Sequence, residues 1–261
     1  MLGIIGAMPE EVAALRPHLR NVQTLQLGGR EFLQGLLADD PTVPDSAAVA
    51  VVVVVSRIGK VAAATTATIL LERFGVTRVL FTGIAGGLAP QVGVGDMVVA
   101  TALMHHDLDA SPLFPPHEVP LLGVAQFATD PVMRRALVAA AMRLVANLPT
   151  AVAALLPSAA AQQATRAACV HEGLIVSGDQ FIDAADEVEA LQRKCPGALA
   201  VEMEGAAVAQ VCYEHGVPFA VVRAISDSAD HAAHVDFSRF LEAACQAYTV
   251  PLVLAVVREL K

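Results

Sequence analysis

Short apolar runs punctuate this chain, separated by stretches in which apolar and charged positions recur at helical spacing. Leu2–Gly6 is the first run and predicts a strand, after which Pro9-Glu10-Glu11 opens a helix predicted to reach about Leu19. Proline suits a first helical turn because its missing N–H has no partner there, and acidic side chains favour the positive helix end. Strands are predicted over Val22–Leu27 and Glu31–Leu37. A polar, proline-containing loop, Ala38–Ser46, leads into Ala47–Val55, which ends in five consecutive valines. A run without a polar face marks a strand buried on both sides of a mostly parallel sheet.

Ser56-Arg57-Ile58-Gly59-Lys60 reads as a turn, followed by a helix to about Phe74. A strand at Val79–Phe81, a glycine-rich loop at Gly83–Gly87 and a strand at Met97–Ala102 come next. His105–Gly123 is a proline-rich connection, Pro131–Asn147 a helix, and Thr150–Thr165 an Ala-rich stretch of low complexity. Regular alternation resumes with strand Gly173–Ser177, helix Ala185–Lys194 and strand Ala198–Val201. A helix Glu204–Glu214 is stopped by Gly216 and Pro218. Strand Phe219–Ala224 and a long helix from Asp236, kinked or split at Pro251, complete the pattern. Such alternation predicts one three-layer α/β domain over residues 1–261, with a mixed, mostly parallel, twisted sheet flanked by helices and a variable excursion near 110–170.

Apolar residues make up 55 % of the 261 and charged residues 16 %, mostly through Ala and Val, which suggests tight packing and a subunit interface. The longest uncharged stretch, Leu144–Thr165, carries Asn147, Pro149, Pro157, Gln162 and Gln163, too polar for a spanning helix. No basic residue precedes Glu10, and the first apolar run is too short for a signal peptide, so a cytoplasmic protein is expected. A net charge of −9 without any basic stripe argues against nucleic acid as a partner. Cys169, Cys195, Cys212 and Cys245 form no CxxC pair and sit in apolar surroundings, as expected of free buried thiols.

Four segments at predicted strand ends hold the candidate chemistry: Gly6–Glu11, Thr82–Gly87, Val201–Gly205 and Arg223–Asp227. Ligands of open α/β sheets bind at the carboxyl ends of strands. Glu10, Glu11, Glu202 and Asp227 each have an ordinary reading as helix caps. Several carboxylates converging on one sheet edge favour a site, because burial raises a carboxyl pKa toward the range useful for proton transfer. The glycine loop does not match G-x-G-x-x-G, and no G-K-[ST] follows, so dinucleotide and P-loop sites are excluded. His231-x-x-His234-x-Asp236 and His105-His106-Asp107-x-Asp109 have metal-like spacing without a full ligand set, and no metal is expected. Ser226 beside Asp227 lacks a nucleophile elbow.

GIIGAMPEEV, SRIGKVAA, TGIAGGLAPQVGVGDMVVA, GLIVSGDQFI, AVEMEGAAVAQVC and VPFAVVRAISDSAD run in order from Gly3 to Asp230. Together they resemble the 5′-methylthioadenosine/S-adenosylhomocysteine nucleosidases of the nucleoside phosphorylase superfamily. The resemblance implies a nucleoside phosphorylase-like fold, no cofactor and an adenine thionucleoside as partner, and the Ala- and Val-rich surface leads to the expectation of a homodimer. It implies Asp227 as the acid that protonates the departing adenine and Glu11 as the base that activates water. Glu204 is implied as a ribose-hydroxyl ligand, Met203 and Met8 as contacts of the sugar side, Phe181 as a stacking partner of adenine, and Ile182 as a reader of its edge. Gly86 belongs to the loop that approaches the ligand, while Arg223 and Ser226 position the acids or water. Ile84 stands where many relatives carry a hydroxyl.

Three rival functions remain in view. A phosphorylase would need basic groups for phosphate, where this chain has Glu10-Glu11. A purine-binding protein without turnover would not need Glu11, Glu204 and Asp227 together. A hydrolase of another 5′-modified adenine nucleoside, of the aminofutalosine type, would differ only in the pocket for the 5′-group.

Overall fold

The computed structural model describes residues 1–38, 40, 42–146, 168–227 and 247–259. The valine run is the centre of its logic: Val51 and Val53 enter one buried cluster, Val52 and Val54 another. Successive residues of a strand face opposite ways, so a strand covered on both sides needs apolar residues throughout. Burying one such side chain contributes about 1.5–3 kcal/mol.

The strands are β1 (Leu2–Gly6), β2 (Arg20–Leu27), β3 (Arg30–Leu37), β4 (Val49–Val55), β5 (Arg78–Gly87), β6 (Met97–His105), β7 (Phe127–Ala128), β8 (Val170–Ser177), β9 (Ala198–Glu202) and β10 (Phe219–Asp227). The helices are α1 (Pro9–Ala13), α2 (Lys60–Phe74), α3 (Pro131–Ala146), α4 (Ala185–Lys194), α5 (Gly205–Glu214) and α6, residues 247–259. One sheet runs β10-β6-β8-β9-β5-β1-β4-β3-β2, with β7 on β6, and β10 also pairs β5. The strands β5, β10, β6, β8 and β9 therefore close a ring, from which β1, β4, β3 and β2 extend as an open sheet. Parallel pairing links β4, β1, β5 and β10, and separately β6, β8 and β9; antiparallel seams at β10–β6 and β5–β9 join the two sets. One cluster packs Val12, Met133, Leu137, Leu252 and Val256 of α1, α3 and α6 against the sheet. The other packs Ala63, Ala67, Leu70, Val208 and Cys212 of α2 and α5 against the opposite face. The three expected layers are present.

Several predicted boundaries need correction. The first helix ends at Ala13 rather than Leu19, and Arg16–His18 forms a 3₁₀ turn. Pro17 has no N–H to donate to the Ala13 carbonyl, so the α-helical ladder does not continue through it. Gly83–Gly87 is not a loop: it extends β5, pairing with β10 and β9. β6 and β10 likewise run past their predicted ends, to His105 and Asp227, and Ala47 falls in a short 3₁₀ turn before β4. The helix 247–259 passes through Pro251 without a break, held by burial of Leu252, Val253 and Val256. Cys169 is half-buried, while Cys195 and Cys212 are buried free thiols. Thr150–Thr165, Cys245 and the start of the last helix at Asp236 lie outside the described residues.

Candidate active site

Strand ends β1, β9 and β10, with the second half of β5, surround a cleft of about 610 Å³, its open mouth included. Met8, Glu11, Gly86, Phe181, Ile182, Met203, Glu204, Ser226 and Asp227 all line it. Arg223, the remaining residue expected at the site, lies behind this wall. Ile58 and Phe181, 56 % and 37 % exposed, mark the mouth, and the carboxylates lie deep.

Glu11 is buried in the first turn of α1. One carboxylate oxygen accepts the backbone N–H groups of Ala7 and Met8, the latter at 3.0 Å, and the other accepts that of Ile84 at 3.2 Å. Glu11 thus caps the start of α1 and also lines the cleft. Burial raises its pKa, and Arg223 and the three amides pull the other way. Strand β5 approaches closely only because Gly83 lacks a side chain: a Cβ there would lie 2.4 Å from Glu11 Oε1 and 2.9 Å from Arg223 NH1. The glycines that resemble a loop in the sequence are the strand residues that make room for these charges.

β10 carries a bulge at its end. Ile225 pairs with Ala85 and Asp227 with Gly86, so Ser226 is the extra residue. In a regular strand Ser226 and Asp227 would face opposite ways; the bulge lets both line the cleft. The Ser226 hydroxyl donates to Asp227 Oδ2 at 2.6 Å.

Glu202 and Glu204 leave β9 on either side of Met203. Glu202 accepts the N–H groups of Glu204 and Gly205, the Ser177 hydroxyl and Arg223 NH2, the last at 2.5 Å. It caps α5, as the ordinary reading of an acidic residue there supposed, and also holds the guanidinium. Glu204 Oε1 accepts the Gly59 N–H at 2.7 Å. Its pKa is pushed up to about 8, first by burial and then by the neighbouring Glu202. Arg223 lies over the Phe81 ring at 4.0 Å, and its Nε and NH1 have no hydrogen-bond partner among the described residues. Burial opposes its charge, but Glu202, Glu11 and Glu204 outweigh that and raise its pKa. Three buried carboxyls thus surround one guanidinium.

Sequence reasoning named Glu202 only as one of the acids at strand ends, without a particular role, and passed over Ser177, Ile58, Gly59 and Gln180 as site residues. Ser177 and Gly59 join the site only through contacts with residues far along the chain. His105 makes a 3.0 Å contact to Gln210, and no cluster of three metal-ligating side chains exists among the described residues. His231, His234 and Asp236 lie outside them.

A curling α/β sheet with acids gathered at its strand ends defines the class, and a family model of the phosphorylase superfamily matches residues 1–257. The chain belongs to that superfamily. A 5′-methylthioadenosine/S-adenosylhomocysteine nucleosidase of Exiguobacterium sp. is 37 % identical over 261 residues, covering 100 % of this chain and 98 % of the relative. A nucleosidase of the same name from Neisseria meningitidis, solved in complex with methylthio-immucillin-A, matches with TM-score 0.81 and 33 % identity over 98 % of both chains. A futalosine hydrolase of Helicobacter pylori strain 26695 matches with TM-score 0.78 and 32 % identity over 99 % of this chain and 97 % of that one. Within the superfamily the chain belongs to the 5′-methylthioadenosine/S-adenosylhomocysteine nucleosidase family.

Proposed function

We propose that this protein hydrolyses the N-glycosidic bond of 5′-methylthioadenosine and S-adenosylhomocysteine, releasing adenine and the thioribose product. One observation carries the choice of water over phosphate. Glu11, Glu202, Glu204 and Asp227 line the cleft, and among the described residues no lysine or arginine does. A phosphate dianion about 4 Å from one carboxylate is repelled by several kcal/mol even at an effective dielectric near 20. Water meets no such barrier.

Breaking the bond places positive charge on the ribose and negative charge on the leaving base. Asp227 donates a proton to the departing adenine, with the Ser226 hydroxyl orienting its carboxyl. Glu11, on the other side of the sugar, takes a proton from the attacking water. Its raised pKa suits a general base near neutral pH. Glu204 binds the ribose hydroxyls, and positive charge developing on the sugar favours the ionised form of its carboxyl over the protonated one. Met203 and Met8 pack on the sugar side. Phe181 stacks on the base, while Ile182 reads its edge through the backbone. Ile84 brings no hydroxyl to the water, so its placement falls to Glu11.

Adenine release from both nucleosides, with and without phosphate, tests the reading: turnover independent of phosphate is expected. A sugar 1-phosphate formed only when phosphate is present would replace hydrolysis by phosphorolysis. The futalosine hydrolase match supports including an aminofutalosine-type nucleoside in the same panel.

The assembly we favour is a homodimer. Ile58 and Val61 are exposed beside the bridge from Lys60 to Asp107, which leads into the loop carrying the exposed Leu113 and Leu121. Exposed apolar side chains such as these suit burial against a second copy of the chain. A monomer in light scattering at working concentration would remove this assembly. Cys195 and Cys212, free and buried, suit a reducing cytoplasm.

A further inference from the structure

The segments that frame the mouth of the cleft are tied by charges with no part in the chemistry above. Ile58 and Gly59 precede α2, Gln180 and Phe181 follow β8, and Asp107 lies just past the end of β6. Lys60 Nζ stands 2.5 Å from Asp107 Oδ1 and 3.8 Å from Asp179 Oδ2. The Lys60 N–H donates to Asp179 Oδ1 at 2.8 Å, and the Asp179 N–H donates to Asp107 Oδ2 at 3.0 Å. Lys60 and Asp179 are 119 positions apart in sequence, and Asp107 and Asp179 are 72 apart. These bonds therefore complete no single element. They set the distance between loops.

The local chain is shaped for this closeness. Gly59 has φ 98°, and a Cβ there would lie 3.3 Å from Asp179 Oδ1. The Gly59 N–H is also the donor to Glu204. One turn of chain thus carries a lip of the cleft, a donor to a site carboxyl and the cation that grips the opposite lip. The Asp107 carboxyl is held below its usual range: burial pushes it up, but the Lys60 ammonium and the Asp179 N–H outweigh that.

We propose that Lys60, Asp107 and Asp179 form a clasp that positions the Ile58–Gly59 lip against the Gln180–Phe181 lip and so sets the grip on the nucleoside. The proposal rests on the nucleosidase reading. An isolated exposed ion pair contributes little. Asp179 keeps 50 % of its side chain exposed, but Lys60 keeps only 21 % and Asp107 32 %, and backbone N–H groups bind both carboxylates, which strengthens the ring. All three are positioning residues. A grip shared by ground and transition states shows in KM, not in kcat.

The test is steady-state adenine release from methylthioadenosine by the wild type, Lys60→Met, Lys60→Arg and Asp107→Asn, with thermal unfolding of each. Lys60→Met and Asp107→Asn should each raise KM about tenfold, with kcat changed less than about twofold. Lys60→Arg should recover most of the loss, since a guanidinium still reaches both carboxylates. Unchanged KM in both charge-removing variants, whatever their Tm, overturns the clasp, as does a loss confined to kcat. A wild type that releases no adenine overturns the nucleosidase reading itself, and the clasp with it.

Discussion

Asp227→Asn keeps the shape of the side chain and its contact with the Ser226 hydroxyl but removes the transferable proton. Adenine release should fall by about 10²–10⁴-fold while methylthioadenosine still binds, as checked by single-turnover assay and calorimetric titration. Glu11→Gln should lose activity to a similar degree, about 10²–10⁴-fold, but for two reasons at once. Both Glu11 oxygens accept backbone N–H groups, from Ala7 and Met8 on one and Ile84 on the other. An amide has one acceptor oxygen, so its NH₂ would face an N–H, at a cost of about 1–3 kcal/mol. Thermal unfolding should therefore separate the variants, with Glu11→Gln lower in Tm than Asp227→Asn. At this scale the sequence was informative: acids beside apolar strands are out of place unless used, and of those singled out at strand ends Glu11, Glu202 and Asp227 reach one cleft while Glu10 does not. It was silent on Arg223 holding Glu202, because neither residue's motif names its partner.

Elements explain how these residues are held. α1 is a short helix whose register changes at its end, Leu15 N bonding Val12 O rather than Glu11 O. The Glu11 carbonyl instead accepts the Thr249 hydroxyl of α6 at 3.0 Å. Thr249→Val, nearly equal in volume, should leave that carbonyl unpaired and cost about 1–3 kcal/mol of stability. Calorimetry should show the loss, and adenine release should fall because Glu11 moves with its backbone. The end of helix α5 was legible in the chain from Gly216 and Pro218 just beyond it. The first helix was not, because its apolar spacing continues past the proline that ends it. Nor was the strand character of Gly83–Gly87, since glycine favours a strand only where a neighbour needs the space.

Over the whole molecule, the acid cluster couples stability to pH. Glu204 has its folded-state pKa raised from 4.5 to about 8. Between those values the unfolded chain releases this proton and the folded protein keeps it, so rising pH favours unfolding. The contribution is fully present below 4.5 and lost as pH passes about 8. The Tm of the unliganded protein should fall across this window, and the Glu204→Gln variant should show a flatter profile by scanning calorimetry. A steeper fall in the variant would contradict the assignment.

Local pattern alone determined the order and kind of most elements, the three-layer class and the acids worth watching. Strand and helix periodicities, proline and glycine act within a few residues, so a sequence displays them directly. Tertiary structure decided the closure of β5, β10, β6, β8 and β9 into a ring and the bulge that turns Ser226 and Asp227 the same way. It also decided the bond from Gly59 to Glu204, across 145 residues. Which strands become neighbours depends on how the whole apolar surface is covered, and no short stretch of chain carries that information.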